Sequence, residues 1–149
     1  MQQRHLWFFI LLSISQVGGE ESDLVQLVQQ AEELAAKGQL GAAIAAYEKA
    51  LAAGAGSARV LNRLAGFYLQ TEELDRGAAL LRRSLQESPA QPQVCFELAK
   101  VFQAVDQPDS ALHYAQQALE FEPRSSALFT LIGAAHLQAQ RPPEAKIAF

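Results

Sequence analysis

Small residues recur in this chain at intervals of 34, and a fixed period of that length restricts the fold more than any other feature. One series runs Ala43, Gly77, Ala111, Ala145 and a second runs Ala31, Ala65, Ala99, Gly133. Large residues keep the same step in Leu27, Leu61, Cys95, Phe129 and in Leu34, Tyr68, Phe102, His136. Ala50, Ser84 and Ala118 are each followed by leucine, and Ala55, Pro89 and Pro123 close the pattern. A unit this short cannot bury its apolar face alone, so its copies must stack on one another.

Each copy reads as two helices. Leu61, Leu64, Ala65 and Tyr68 fall at i, i+3, i+4 and i+7, and Leu74, Ala78, Leu81 and Leu85 form a similar stripe further on. Between them lies a polar turn, Gln70-Thr71-Glu72-Glu73, whose counterparts carry Gly38, Pro108 and Pro142-Pro143. Proline suits the first turn of a helix, where its missing N–H leaves no bond unmade. Pro89 and Pro123 end the second helices, and Pro92 and Ser125-Ser126 open the next first helices. Small residues in register are required where two backbones cross closely. The chain is therefore expected to be all-α, built from antiparallel helix pairs.

These columns resemble the tetratricopeptide repeat. The likeness rests on Leu61-xx-Leu64-Ala65-xx-Tyr68, Cys95-xx-Leu98-Ala99-xx-Phe102 and Phe129-xx-Ile132-Gly133. Copies fall at 24–57, 58–91, 92–125 and 126–149, the last incomplete, about 3.7 repeats in all. The resemblance implies a right-handed superhelical solenoid. Gln30, Ala55 and Ala115 depart from the family pattern, which has leucine, proline and an aromatic there. The array stops at Phe149 without a polar cap, which leaves two expectations open: a fragment of a longer chain, or an end covered by a partner or by self-association.

Residues 1–19 differ from the rest. Arg4 precedes the apolar run Leu6-Trp-Phe-Phe-Ile-Leu-Leu12, which fades into Gly18-Gly19, the order of a signal peptide. A membrane span needs about 20 apolar residues, so export with cleavage near Glu20, to periplasm or medium, is preferred to an uncleaved tether at residues 6–17. The chain carries a net charge of −4 and no cluster of cations, which argues against nucleic acid. A single cysteine, Cys95, excludes an internal disulfide and a cysteine-based metal site.

No catalytic motif is present, so neither an enzyme nor a cofactor is expected, and no metal. Gly54-Ala-Gly56 reads as a turn between copies, Cys95 as a small buried hydrophobe, His113 as a residue of the polar face and His136 as packed in an aromatic column. The acidic pairs Glu32-Glu33 and Glu72-Glu73 read as solvated faces, since adjacent side chains on a helix point roughly 100° apart.

Function then falls to surface. In this family the concave wall, formed by first helices, commonly holds an extended peptide or a partner helix. Here the wall stripe carries Val25, Val28, Gln29 and Glu32, then Arg59, Asn62, Arg63 and Gln70. Gln93, Phe96, Glu97, Lys100 and Gln103 follow, then Ala127, Thr130 and Gln138. Val28, Glu32, Arg63, Gln93 and Glu97 occupy the places where the family's carboxylate clamp has Lys, Asn and Arg, so that clamp is absent. The candidate peptide-binding residues are Arg59, Asn62, Arg63, Gln70, Phe96, Lys100 and Gln103. The expected function is a non-catalytic, exported scaffold for a protein or peptide partner. The alternative is an N-terminal accessory repeat domain of a longer cell-envelope enzyme or assembly factor.

Overall fold

The computed structural model describes residues 22–140, and these form seven helices with no strand. The first, α1, covers residues 22–36. It is followed by α2 (Leu40–Ala52), α3 (Ala58–Gln70), α4 (Leu74–Glu87), α5 (Pro92–Ala104), α6 (Pro108–Phe121) and α7 (Ser126–Ala139). The period is visible in where helices begin: α3, α5 and α7 start at 58, 92 and 126, and α2, α4 and α6 at 40, 74 and 108.

The turn inside each pair is the same hydrogen-bonded motif repeated. Gly38, Glu72 and Asp106 stand in left-handed backbone, with φ of 72°, 63° and 54°. The next residues, Gln39, Glu73 and Gln107, donate their N–H to the carbonyls of Leu34, Tyr68 and Phe102 at 3.0, 2.8 and 2.8 Å. The left-handed residues themselves donate to Ala35, Leu69 and Gln103 at 3.0, 3.2 and 3.2 Å. Two orphan carbonyls at each helix end are thus satisfied in a Schellman closure. Glycine at 38 announces this turn, whereas Glu72 and Asp106 adopt it despite the strain a side chain brings. Glu72 and Glu73 lie in this turn, within the polar segment the sequence marks as one.

Packing follows the columns. Leu61, Leu64, Ala65 and Tyr68 on α3 are buried, as are Cys95, Leu98, Ala99 and Phe102 on α5. Each fully buried leucine contributes about 1.5–3 kcal/mol. Within the α3–α4 pair the backbones approach at Gly77, where an added Cβ would lie 2.5 Å from Leu69 Cδ2 and 3.4 Å from the Ala65 carbonyl. The Phe102 and Tyr114 rings stack at 5.5 Å across α5 and α6. α6 also packs on α7, and α4 on α5, so pairs stack in chain order.

α7 departs from the expected register of burial. It buries Leu128, Leu131 and Ala135, while Phe129 is 54% exposed and His136 and Gly133 are exposed. His136 is therefore not a packed core histidine among the described residues. In α3 and α5 the matching column rests on the second helix of the same pair; for α7 those residues fall within 141–149, outside the described residues, as does Ala145.

Gly77→Leu and Ala111→Leu are each expected to lower stability by about 1–3 kcal/mol through overpacking. Gly66, also helical, has nothing within 4 Å of an added Cβ, so Gly66→Ala should raise stability by up to about 1 kcal/mol. Glu72→Gln should leave it unchanged. Denaturant midpoints followed by far-UV circular dichroism measure all four, and equal midpoints would contradict the close approach.

Candidate functional site

The first helices α1, α3, α5 and α7 form one layer, and α2, α4 and α6 form the other. α5 and α7 touch directly, a contact without an equal between α4 and α6, which puts the first-helix layer on the inner side at that step. Residues of these helices not used in packing within a pair open onto that inner wall.

Two grooves run side by side on the wall. One, of about 570 Å³, lies between α1 and α3 and is lined by Val25, Val28, Gln29, Glu32 and Arg59 among others. The second, of about 530 Å³, lies between α3 and α5 and is mostly apolar. Its lining includes Asn62, Gln93 and Glu97 from the expected stripe, together with Gly66, Leu69, Leu81, Gln91, Pro92 and Val94. Of the candidate residues, the grooves gather Arg59 and Asn62 only. Arg63, Gln70, Phe96, Lys100 and Gln103 line neither.

Electrostatics differ from a plain basic patch. Arg59 Nη2 is bonded to Glu32 Oε1 across α1 and α3. Lys100 Nζ sits 3.0 Å from Glu97 Oε2, one turn away on α5, and 5.6 Å from the centre of the half-buried Phe96 ring. Arg63 makes no ion pair among the described residues, and Gln70 is exposed at the end of α3. Gln103 is half-buried, and its carbonyl accepts from Gln138 Nε2 at 3.1 Å, which ties α5 to α7.

The amides are more ordered than the cations. Gln91 Nε2 donates to Ser84 O, Ser84 Oγ and Ser88 O at 3.0, 3.0 and 2.7 Å. Its Oε1 is therefore turned outward and accepts from Asn62 Nδ2 at 2.7 Å. This fixes which way the Asn62 amide faces and leaves Oδ1 buried with no hydrogen-bond partner. An unmatched buried acceptor costs about 1–3 kcal/mol. Gly66 escaped the sequence reading because it offers no functional group, although it shares the wall stripe with Asn62.

Elsewhere the polar groups are structural. The Tyr68 hydroxyl donates to Glu48, and Arg76 lies 4.1 Å above the Tyr68 ring, 2.6 Å from Glu48 and 2.9 Å from Glu73. Burial, then the bond to Glu48, pushes Tyr68 up to about 12. The bond to Glu73 raises Arg76, and burial raises Tyr47. Cys95 forms part of a third groove, of about 480 Å³, on the opposite layer between α4 and α6. Burial pushes its thiol up, which keeps it protonated, and its Sγ lies 3.9 Å from Gln117 Oε1. His113 is exposed, edge-on to Tyr114 at 5.1 Å. Among the described residues no group of three or more His, Cys, Asp or Glu side chains could hold a metal, and no helix is long and apolar enough to cross a membrane.

Two sequence-family models, each described as tetratricopeptide repeat, match residues 34–95 and 96–149. The chain belongs to the tetratricopeptide-repeat family. Among solved structures, this repeat array is similar to MamA, at TM-score 0.72 and 15% identity over 83% of this chain and 67% of that one. It is similar to the first repeat domain of Spaghetti (RPAP3) bound to the HSP90 peptide SRMEEVD, at 0.68 and 13%, covering 79% and 94%. A third is the Yersinia enterocolitica type III secretion chaperone SycD in complex with a peptide of the translocator YopD, at 0.67 and 15%, covering 80% and 96%. These likenesses establish the fold of the repeat array. No curated protein matches the chain in sequence.

The Tyr68 shift gives a pH prediction. Its folded value lies above the ordinary 10.0, so the associated stability is fully present below pH 10 and is lost as pH rises toward about 12. Absorbance titration at alkaline pH should show a late tyrosinate component that Tyr68→Phe removes; an unchanged curve would show that another tyrosine carries it.

Proposed function

We propose that this chain is a non-catalytic protein-interaction scaffold that holds an extended peptide or a partner helix against its inner wall. The observation that carries the reading is the pair of grooves between consecutive first helices, one on either side of α3. Peptide complexes of repeat arrays with this fold support it: RPAP3 with its HSP90 peptide and SycD with its YopD peptide. Exposed amides such as Gln29 and Gln93 can bond a peptide backbone without regard to its side chains. The apolar groove between α3 and α5 supplies the area that hydrogen bonds alone do not.

Location belongs to the same proposal. Arg4, the apolar run from Leu6 to Leu12 and the small residues before Glu20 support export by a cleaved signal, and these residues lie outside the described ones. The intact mass of the exported protein should match a chain that begins near Glu20.

A photo-crosslinking amino acid placed at Gln93, on the wall, is expected to trap a partner in cells. The same group at Gln116, exposed on α6 in the outer layer, should not. Equal adducts at both positions, or adducts at Gln116 alone, would move the binding surface off the wall.

A further inference from the structure

The joint between the first helix pair, α1–α2, and the second, α3–α4, is built differently from the joint that follows it. Its connection runs Gly54-Ala55-Gly56, with Gly54 at a φ of 108°, where the later connections carry Pro89 and Pro123. Glycine leaves such a loop many backbone states and proline few, so this connection is the freer one. The buried apolar residues divide at the same place. Ala31, Tyr47, Val60, Leu64 and Tyr68 form one cluster across the first joint, whereas a single larger cluster runs from Ala65 on α3 through α4, α5 and α6 to Ala135 on α7. The half-buried Leu80 packs against both. Three side-chain contacts that cross the first joint each end on a carboxylate: Arg59 on Glu32, the Tyr68 hydroxyl on Glu48, and Arg76 on Glu48 at 2.6 Å. At the second joint the contact is neutral, Asn62 to Gln91 at 2.7 Å, with Gln91 anchored on the buried Ser84.

We infer that the first helix pair is a gate: it opens from α3 as one unit about Gly54–Gly56, and charge holds it shut. Stability in a repeat array is a sum over units and their interfaces, so the interface with the smallest apolar cluster parts first. Once detached, the pair has no second surface on which to bury its apolar face and unfolds. Arg76 meets Glu48, Glu73 and the Tyr68 ring together, a network of the kind in which exposed charges contribute more than they do singly. Salt screens such contacts and leaves neutral amide bonds in place. The groove between α1 and α3 has one side on α1, through Val25, Val28 and Gln29, so it exists only while the gate is shut. The groove between α3 and α5 is lined by no residue of α1 or α2 and does not depend on it. The inference concerns the free protein and holds whether or not a partner binds the wall.

The test is native-state hydrogen exchange, followed by NMR on the full chain labelled with ¹⁵N. Protected amides of α1 and α2 should share one opening equilibrium and exchange ahead of those of α5 and α6. Raising salt from about 0.05 to about 0.5 M should speed α1 and α2 by about two- to fivefold, the range of an exposed ion pair, and leave α5 and α6 unchanged. Glu48→Gln keeps an acceptor for the Tyr68 hydroxyl but takes the charge from Arg76, and at low salt it should bring α1 and α2 to the rates that the unaltered chain shows at high salt. Glu97→Gln, which removes the pair with Lys100 inside α5, should not move α1 or α2. Exchange of all four helices at one rate overturns the inference, as does exchange that grades inward from residue 22 through α1, the pattern of a fraying end. Early exchange of α1 and α2 that answers neither salt nor Glu48→Gln overturns it as well, because charge would then not hold the pair.

Discussion

The architecture depends on how closely the two helices of each pair approach. At Gly77 the α4 backbone comes so near α3 that a single added carbon would press on Leu69. That separation is held at one end by the Schellman turn, whose two hydrogen bonds leave only three residues, 71–73, to reverse the chain. Because the same turn and the same small residues return every 34 positions, the α3–α4 and α5–α6 pairs are built alike and stack in chain order. Stacked pairs of this kind curve, and the direct α5–α7 contact puts the first helices on the inner side.

That geometry decides what the wall can present. Side chains at the packing columns are committed to the core, so only the opposite stripe of each first helix is free to meet another molecule. The polar groups there are partly spent on one another: Arg59 on Glu32 and Lys100 on Glu97, exposed pairs that add little stability but remove charge from the surface. The Asn62–Gln91–Ser84 chain works differently. It begins at the wall and ends at Ser84, a fully buried residue, so the orientation of the half-buried Asn62 amide is set by the core.

Much of the fold was legible in the sequence because packing is local and periodic. The stripes on α3 and α4 were read from spacing alone, and their residues are buried or half-buried as that spacing requires. The turns at Glu72 and Asp106 were not read as left-handed, since that backbone is announced by glycine and here carries acidic side chains. His136 keeps the column's position on α7 but is exposed there, because a column defines a face of a helix and not its burial. On the wall, the stripe was legible and its state of charge was not. Glu32 and Arg59 are separated by 27 positions, and only the stacking of α1 on α3 brings them together. The Lys100–Glu97 pair was within reach, since residues three apart on a helix are neighbours.

Two glycines show how the same residue serves opposite ends in this array. Each sits inside a helix, where glycine costs about 1 kcal/mol relative to alanine. At Gly77 the cost is offset by packing, because the neighbouring helix occupies the place of the missing side chain. At Gly66 no packing offsets it: the site is exposed, and an alanine would fit without contact. What the second glycine leaves behind is the open side of the apolar groove beside Asn62. Gly41 in α2 and Gly133 in α7 likewise have nothing within 4 Å of an added Cβ, so an open glycine reflects the lack of a close neighbour at that face and does not by itself mark a site.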